Sequence, residues 1–403
     1  MKQAIKKGAG IKSAKKGSLD ALKAKMGLTT TASNLSASNA DKPMEWLVMP
    51  EGWVKATMLP GVPCGYVSMI GGFSDTGKST IINHVIVSAQ RQGFIPVIYD
   101  TENNMDWKYL QDMGFECEPI YGDVEVEVVN EETGEIEIVV ENRIISYEGN
   151  FLYFNNTILA ERYGNMDYAT GKEVKTKRKV AVIEDIAASM TELLNAQDDG
   201  DIEQGFVFVW DSIGSISSFK SYKSLTTNNM FDAGSVSQAF SNLLNGRIPS
   251  SRKMSSPYTN TMVAISKIWL DSMTAPMGMP IVKYKNGNTF YYACHGIIAH
   301  VGGALTSGTK KLKAVSKGAT YQYGLVSKVA IKKTHLPSPW NITYEGELIC
   351  TGHGIISRDE LSKYQKEHVS EILKELNSTL QQSGKSATID DVSFVEEESE
   401  QEE

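Results

Sequence analysis

The chain has 403 residues, 41% hydrophobic and 22% charged, with a net charge of -8, which describes a soluble globular protein of one large domain with appendages or of two domains. No window approaches the roughly eighteen consecutive apolar residues that span a bilayer, and the N-terminus lacks the apolar core of a signal peptide, so a cytoplasmic location with no membrane partner is expected. Cys64, Cys117, Cys294 and Cys350 show neither metal nor redox spacing and read as reduced buried thiols rather than a disulfide framework.

Residues 1–48 read as a basic arm and linker. Lysines crowd the first 26 residues with Asp20 as the lone acid, and one short helix is expected from Leu19 to Met26 after the cap Ser18. From about Met49 to 356, short apolar runs alternate with helical periods. Tyr66–Ile70, Ile95–Tyr99 and Phe206–Trp210 read as strands buried on both faces, and Thr80–Gln92 and Ile183–Asn195 as helices. This is the pattern of an α/β domain with a mostly parallel central sheet and helices on both faces. Val124–Val140 alternates apolar and acidic residues about an Asn/Gly-containing turn. It predicts a β-hairpin with one apolar face, inserted at the sheet edge within residues 118–150. Residues 357–388 form a C-terminal helical segment, with one or two helices between Ser357 and Leu380. The acidic tail 389–403 is expected to be solvated and disordered.

The stretch Gly71-Gly72-Phe73-Ser74-Asp75-Thr76-Gly77-Lys78-Ser79-Thr80 contains the Walker A spacing, lying between a strand and a helix. Its glycines let backbone N–H groups point at phosphates. Lys78 supplies a cation for the β- and γ-phosphates, and the Ser79 hydroxyl is a Mg²⁺ ligand; the helix that follows adds its positive end. The next strand ends in Asp100-Thr101-Glu102, where a carboxylate can orient an attacking water; the bland alternative is a carboxylate satisfied by a helix N-terminus. Phe206–Ser212 has the Walker B form, with Asp211 holding Mg²⁺.

Walker A, a strand ending D-T-E, the run Asn103–Gly114 and a strand ending W-D-S together resemble the ATPase core of RecA-type recombinases, most like those of tailed bacteriophages. The resemblance spans about 61–354. It implies ATP and Mg²⁺ as cofactors, Glu102 as the catalytic carboxylate, and Asp106 and Tyr109 on adenine. It implies two DNA-binding loops. The first, Ile216–Phe231, carries Lys220 and Lys223. The second, Ile268 to about Asn288, carries Trp269, Met273, Met277, Met279, Lys283 and Lys285; ordinary packing is the alternative for its apolar residues. Met262–Lys267 matches the strand ending in a γ-phosphate sensor. Lys267 stands where cellular relatives have glutamine, and a lysine cannot accept a hydrogen bond.

Lys333 and His335, in Lys328–Trp340, match the basic pair that reaches the ATP of a neighbouring protomer, with solvated edge-strand residues as the alternative. Lys310, Lys311, Lys313 and Lys317 match a secondary DNA site or a plain solvated loop. The resemblance further implies an N-terminal arm that packs on the adjacent subunit, with a nonspecific DNA tether as the alternative. It also implies an acidic tail that competes with DNA for basic surface, with solvation alone as the alternative.

The expected function is ATP-dependent polymerisation on single-stranded DNA followed by pairing and exchange with duplex DNA, with hydrolysis at protomer interfaces. Partners would be both DNA forms, further copies of the chain, and single-strand-binding and loader proteins. If the chain is phage-encoded, the setting is the host-cell cytoplasm. A hexameric helicase or DNA motor, and a non-catalytic ATP-binding filament or mediator, remain as alternatives.

Overall fold

A computed structural model describes residues 40–129, 136–224, 229–271, 281–284, 289–302, 308–381 and 385–398. The expected helix Leu19–Met26, and Met273, Met277, Met279 and Lys285 of the second loop, lie outside the described residues. The chain divides into two units. The smaller contains residues 40–43 and 253–257, joined by an Asp41–Lys253 ion pair of 2.9 Å; the larger holds everything discussed below.

The elements that position the site are, in chain order, β1 (Val67–Gly72), α1 (Lys78–Arg91), β2 (Ile95–Asp100), α2 (Trp107–Asp112), β3 (Glu118–Val129), β4 (Ile136–Glu148), β5 (Leu152–Asn155), α3 (Ile183–Asp198) and β6 (Phe206–Ile213). They continue with β7 (Thr261–Asp271), β8 (Ile281–Tyr284), β9 (Ile297–Val301), β10 (Thr309–Ser316), β11 (Ala319–Thr334), β12 (Glu345–Thr351), β13 (Gly354–Ile356), α4 (Leu361–Glu367), α5 (Val369–Gln381) and β14 (Ser393–Glu398).

The central strands are continuous apolar runs because both of their faces are covered. In β6, Phe206, Phe208 and Trp210 join one core, and Val207 and Val209 the other. The same alternation divides Met69 from Ile70 in β1, Tyr99 from Ile98 in β2, and Ala264 from Val263 in β7. Ile81, Ile82, Val85 and Ile86 of α1 close the first face, and Ile183, Ile186 and Met190 of α3 close the second. Each fully buried side chain of this size contributes about 1.5–3 kcal/mol. Gly93, at φ 80°, takes the left-handed conformation that turns the chain from the end of α1 into β2.

The principal sheet has the order β13-β12-β11-β9-β1-β7-β6-β2-β5. From β9 to β5 every neighbouring pair is parallel. The fold is therefore α/β with a mostly parallel centre, as expected. Beyond β9 the sheet becomes antiparallel, and β10 pairs with both β11 and β14. The C-terminal segment forms two helices, α4 and α5. All four cysteines are free. Among the described residues no helix is long and apolar enough to cross a membrane.

Two expectations are corrected. The hairpin forms, but it is longer than Val124–Val140 and makes its own two-stranded sheet. Nor does it have one apolar face. The register places Val124 opposite Glu141 and Val126 opposite Val139, while Glu125 faces Val140 and Glu127 faces Ile138. Both strands alternate, so the pairing register alone decides whether their apolar sets coincide, and here they fall mainly on opposite faces. An aromatic cluster roots the hairpin: Trp107 stacks on Tyr147 at 4.7 Å and meets Tyr153 edge-on at 5.1 Å.

The acidic tail, expected to be disordered throughout, contains the strand β14. Edge strand β10 presents unpaired backbone groups and lysines, and the tail satisfies both. Lys310 pairs with Glu398 and Lys311 with Glu397 in the ladder, and Lys313 forms an ion pair with Glu397. Phe394 packs edge-on against Tyr323 at 5.4 Å.

The polar stretch from Tyr163 to Lys179 folds over a buried ion pair. Both Asp185 oxygens accept from Arg178, at 2.8 and 3.0 Å, and Tyr168 donates to the same carboxylate at 2.8 Å. The Arg178 and Asp185 side chains are only 6% and 0% exposed. Asp185→Ala leaves the guanidinium buried without its counter-charge and is expected to cost about 3–5 kcal/mol in urea unfolding. A cost below about 1 kcal/mol would show that the pair contributes little.

Candidate active site

Parallel pairing brings Gly72 of β1, Lys267 of β7, Asp211 of β6 and Asp100 of β2 to one edge of the sheet. The Phe73–Gly77 loop leaves β1 and enters α1 through Gly77, which is left-handed at φ 91°. A Cβ on Gly77 would lie 2.7 Å from Cys350 Sγ, and one on Gly72 would lie 2.5 Å from the Val301 carbonyl oxygen. Close packing therefore requires both glycines, and the turn requires Gly77 as well. Ser74 and Asp75 stand at the exposed crest, and the buried Thr76 donates to the Phe73 carbonyl at 3.0 Å. From β11, Ser327 donates to the Thr76 carbonyl at 2.7 Å and steadies the loop.

Lys78 is buried within this loop and donates to the Phe73 carbonyl. Burial pulls its pKa down to about 8. A desolvated ammonium held by the Phe73 carbonyl and the Thr76 hydroxyl suits a phosphate, which would offset its burial. Ser79, Thr80, Asp106, Tyr109 and Asp211 line one open cleft of about 120 Å³, shared with Asn83, Asp100, Asn104 and Met105. The hydroxyl of Ser79 and carboxylate of Asp211 fit a hard divalent cation such as Mg²⁺. Asp106 caps α2 by accepting from the Tyr109 N–H at 2.9 Å, and the Tyr109 hydroxyl donates to the Thr351 carbonyl at 2.9 Å.

Glu102 is held from two sides. Ser212 donates to one oxygen, and Lys267 Nζ lies 2.9 and 3.0 Å from its two oxygens. Lys267 reaches it because the β1–β7 ladder places it beside Gly72. Burial raises the Glu102 carboxyl, but the Ser212 hydroxyl and the Lys267 ammonium outweigh it, leaving the group below its ordinary range.

Several residues that sequence reasoning did not assign hold this arrangement. Asp100, which is 2% exposed, accepts from the backbone N–H groups of Asn104 and Met105 at 3.1 and 3.0 Å and from the Tyr153 hydroxyl at 3.0 Å. Thr101 donates its N–H to the Asp211 carbonyl at 2.8 Å, and its hydroxyl accepts from the Trp210 indole at 3.0 Å. These bonds tie the end of β2 to the end of β6. Asp100, Thr101 and Ser212 lie within the D-T-E and W-D-S runs. Their support roles follow from strand adjacency, which local sequence does not display.

Other expected site residues lie elsewhere. Lys333 donates to the Tyr291 carbonyl at 2.6 Å, and burial lowers its pKa. It lies near the amino end of the parallel strands, opposite Ile298, whereas Ser327 on the same strand touches the Phe73–Gly77 loop. The separation along β11 is about 20 Å at about 3.3 Å per residue. Neither Lys333 nor the exposed His335 lines the cleft. Trp269 is 50% exposed, with the Lys283 ammonium 5.5 Å from its ring centre. Lys220 lies on the helix Phe219–Ser224; Lys223, on the same helix, is paired with Asp167.

Asp211 has the most telling electrostatics. Burial, followed by the Glu102 and Asp100 charges, raises its carboxyl from the usual 3.8 to about 6. The folded chain therefore keeps a proton that the unfolded chain has released. Asp211 favours the fold below about pH 4, and that contribution is lost as pH rises through about 6. Metal-free Asp211→Asn is expected to melt above wild type at pH 8, with the difference shrinking as pH falls through about 6 and vanishing below about pH 4. An equal Tm for the two proteins at pH 8 would contradict the crowding of charge.

No family model matches the chain. Protein RecA from Aquifex aeolicus (strain VF5) is 32% identical over 93 residues, covering 21% of this chain and 27% of that protein. Protein RecA from Campylobacter lari is 32% identical over 88 residues, 20% of this chain and 26% of the relative. The Thermotoga neapolitana RecA is 29% identical over 104 residues, 23% of this chain and 30% of the relative. The chain thus spans less than a third of the length of these curated relatives. Taken with the mostly parallel sheet, this similarity supports a RecA-like recombinase family for the chain, and the α/β domain fits a RecA-like core.

Proposed function

We propose that the chain is an ATP-dependent recombinase that polymerises on single-stranded DNA, pairs it with homologous duplex and exchanges strands, hydrolysing ATP at the seams between protomers. The observation that carries this reading is the convergence of Lys78, Ser79, Glu102, Asp211 and Lys267 at one sheet edge, in a chain whose core is RecA-like. Lys78 neutralises the phosphates, Ser79 and Asp211 hold Mg²⁺, and Glu102 orients the attacking water. Lys267 is held by Glu102; a γ-phosphate competes for its ammonium and frees the carboxylate for water. Asp106 and Tyr109 take the adenine.

Assembly enters through geometry. Lys333 and His335 stand at the other end of the strands and belong to a neighbour's cleft, which makes the contact heterologous. Such a contact builds an open filament when its rotation does not close a ring. Trp269, Lys220, Lys223 and Lys283, with Met273, Met277 and Lys285, serve the primary DNA strand. Lys310, Lys311 and Lys313 serve a second DNA site for which the β14 glutamates compete. Single-strand-binding and loader proteins are the proposed accessory partners.

A second reading, an ATP-binding filament or mediator with little turnover, is favoured by the same Lys267–Glu102 pair, because a carboxylate kept by an ammonium does not orient water. The two readings separate in a steady-state ATPase assay. For the recombinase, single-stranded DNA raises hydrolysis several-fold, and Glu102→Ala lowers it by about 10²–10⁴ while filaments persist in electron micrographs. Mixing Lys78→Ala with Lys333→Ala then restores about a quarter of the seams under random assembly. No DNA stimulation, with Lys267→Ala raising turnover, would establish the mediator. Absence of rescue with persistent monomers would remove the shared site.

Truncation after Val392 is expected to tighten duplex DNA binding and steepen its salt dependence, as Lys310, Lys311 and Lys313 become available to phosphates. Unchanged affinity across a salt series would place the duplex elsewhere.

A further inference from the structure

Away from the nucleotide cleft, three donors converge from separate segments. His353 lies in the turn between β12 and β13. His368 follows α4, and Glu371 lies in the first turn of α5. Their ligand atoms all fall within 4.8 Å of one another. His353 Nε2 is 3.4 Å from Glu371 Oε2, and His368 Nδ1 is 3.3 Å from the same oxygen. Tetrahedral zinc with bonds of about 2.0–2.1 Å places neighbouring donor atoms about 3.3 Å apart, so two edges of a coordination polyhedron already have their length.

The surroundings fit a metal-ligating histidine. His353 Nδ1 lies 3.0 Å from the Tyr364 hydroxyl, so its other ring nitrogen is engaged and Nε2 faces the cluster. The Tyr364 ring covers His368 at 4.4 Å. The two imidazoles stack at 3.9 Å with 31° between their planes, so closing on an ion requires them to turn apart. The His353, His368 and Glu371 side chains are 36%, 28% and 59% exposed, which gives the rings room to turn and a fourth position to water.

We infer that His353, His368 and Glu371 form a binding site for a borderline divalent transition metal, with zinc as the chemical type. Two imidazoles and one carboxylate disfavour Mg²⁺ and Ca²⁺, which take oxygen ligands. This site is separate from the Ser79–Asp211 pair and does not depend on the proposed recombinase function. Its structural effect would be to clamp the α4–α5 junction to the β12–β13 turn. That turn carries the Thr351 carbonyl bonded to Tyr109, and the Thr351 hydroxyl accepts from the His353 N–H at 3.2 Å. The clamp would therefore stiffen one wall of the nucleotide cleft.

The test uses untagged full-length protein, stripped with chelator and returned to buffer containing millimolar Mg²⁺ so that oxygen-rich sites are occupied. Calorimetric titration with Zn²⁺ is expected to show one ion per chain. His353→Ala, His368→Ala and Glu371→Gln should each weaken binding by more than about tenfold. Zn²⁺ should raise the wild-type Tm and leave that of the variants unmoved. Zinc K-edge absorption of the wild-type complex reads the ligands without any variant; two imidazoles with oxygen are expected. No zinc uptake by wild type, an all-oxygen shell, or variants that bind as tightly as wild type would each overturn the site.

Discussion

Parallel pairing of β1, β7, β6 and β2 is the constraint on which the rest depends. A parallel ladder aligns strand ends in one direction, and a one-residue slip would swap the side chains that face the two cores. Gly72, Lys267, Asp211 and Asp100 are thereby brought to one edge from positions far apart in the chain. The cost falls on electrostatics, because Glu102, Asp100 and Asp211 stand close together in a partly desolvated space. Lys78 and Lys267 offset that charge, while burial first and the Glu102 and Asp100 charges second still raise the Asp211 carboxyl.

Preorganisation here is largely a matter of backbone groups. Asp100 spends its carboxylate on two N–H groups and a tyrosine hydroxyl, which sets the path of residues 101–105 and places Glu102. Thr101 and Trp210 lock that path against β6. Tyr153 also meets Trp107, on which Tyr147 of the hairpin stacks. The base of the β3–β4 hairpin thus shares side-chain contacts with the loop that carries the catalytic candidate, although the hairpin's outer length is exposed.

The two ends of the sheet differ in character. At the carboxyl edge, charges are drawn inward and compensated within the chain. On the antiparallel extension, β10 carries lysines on a strand that would otherwise be an open edge, and the acidic β14 covers it. That covering unites two sequence features whose relation no local pattern shows, a basic cluster and an acidic tail.

Local sequence determined the elements themselves. Apolar runs such as Phe206–Trp210 must be strands covered on both faces, and Gly72-x4-Gly77-Lys78-Ser79 must curl because glycines there relax the backbone. The α/β class, the glycine-rich loop between a strand and a helix, and a C-terminal segment of one or two helices were legible on that basis. Only the tertiary structure decided which groups meet. The register of β3 on β4 divided the apolar residues between two faces, and strand adjacency gave Lys267 to Glu102 and Asp100 to the following loop. Pairing with β10 ordered part of the tail, and the turn after β12 met the α4–α5 junction at His353, His368 and Glu371. The physical reason is range. Propensity and periodicity act over a few residues, whereas ladder register, desolvation and ion pairing depend on partners that only the folded chain brings together.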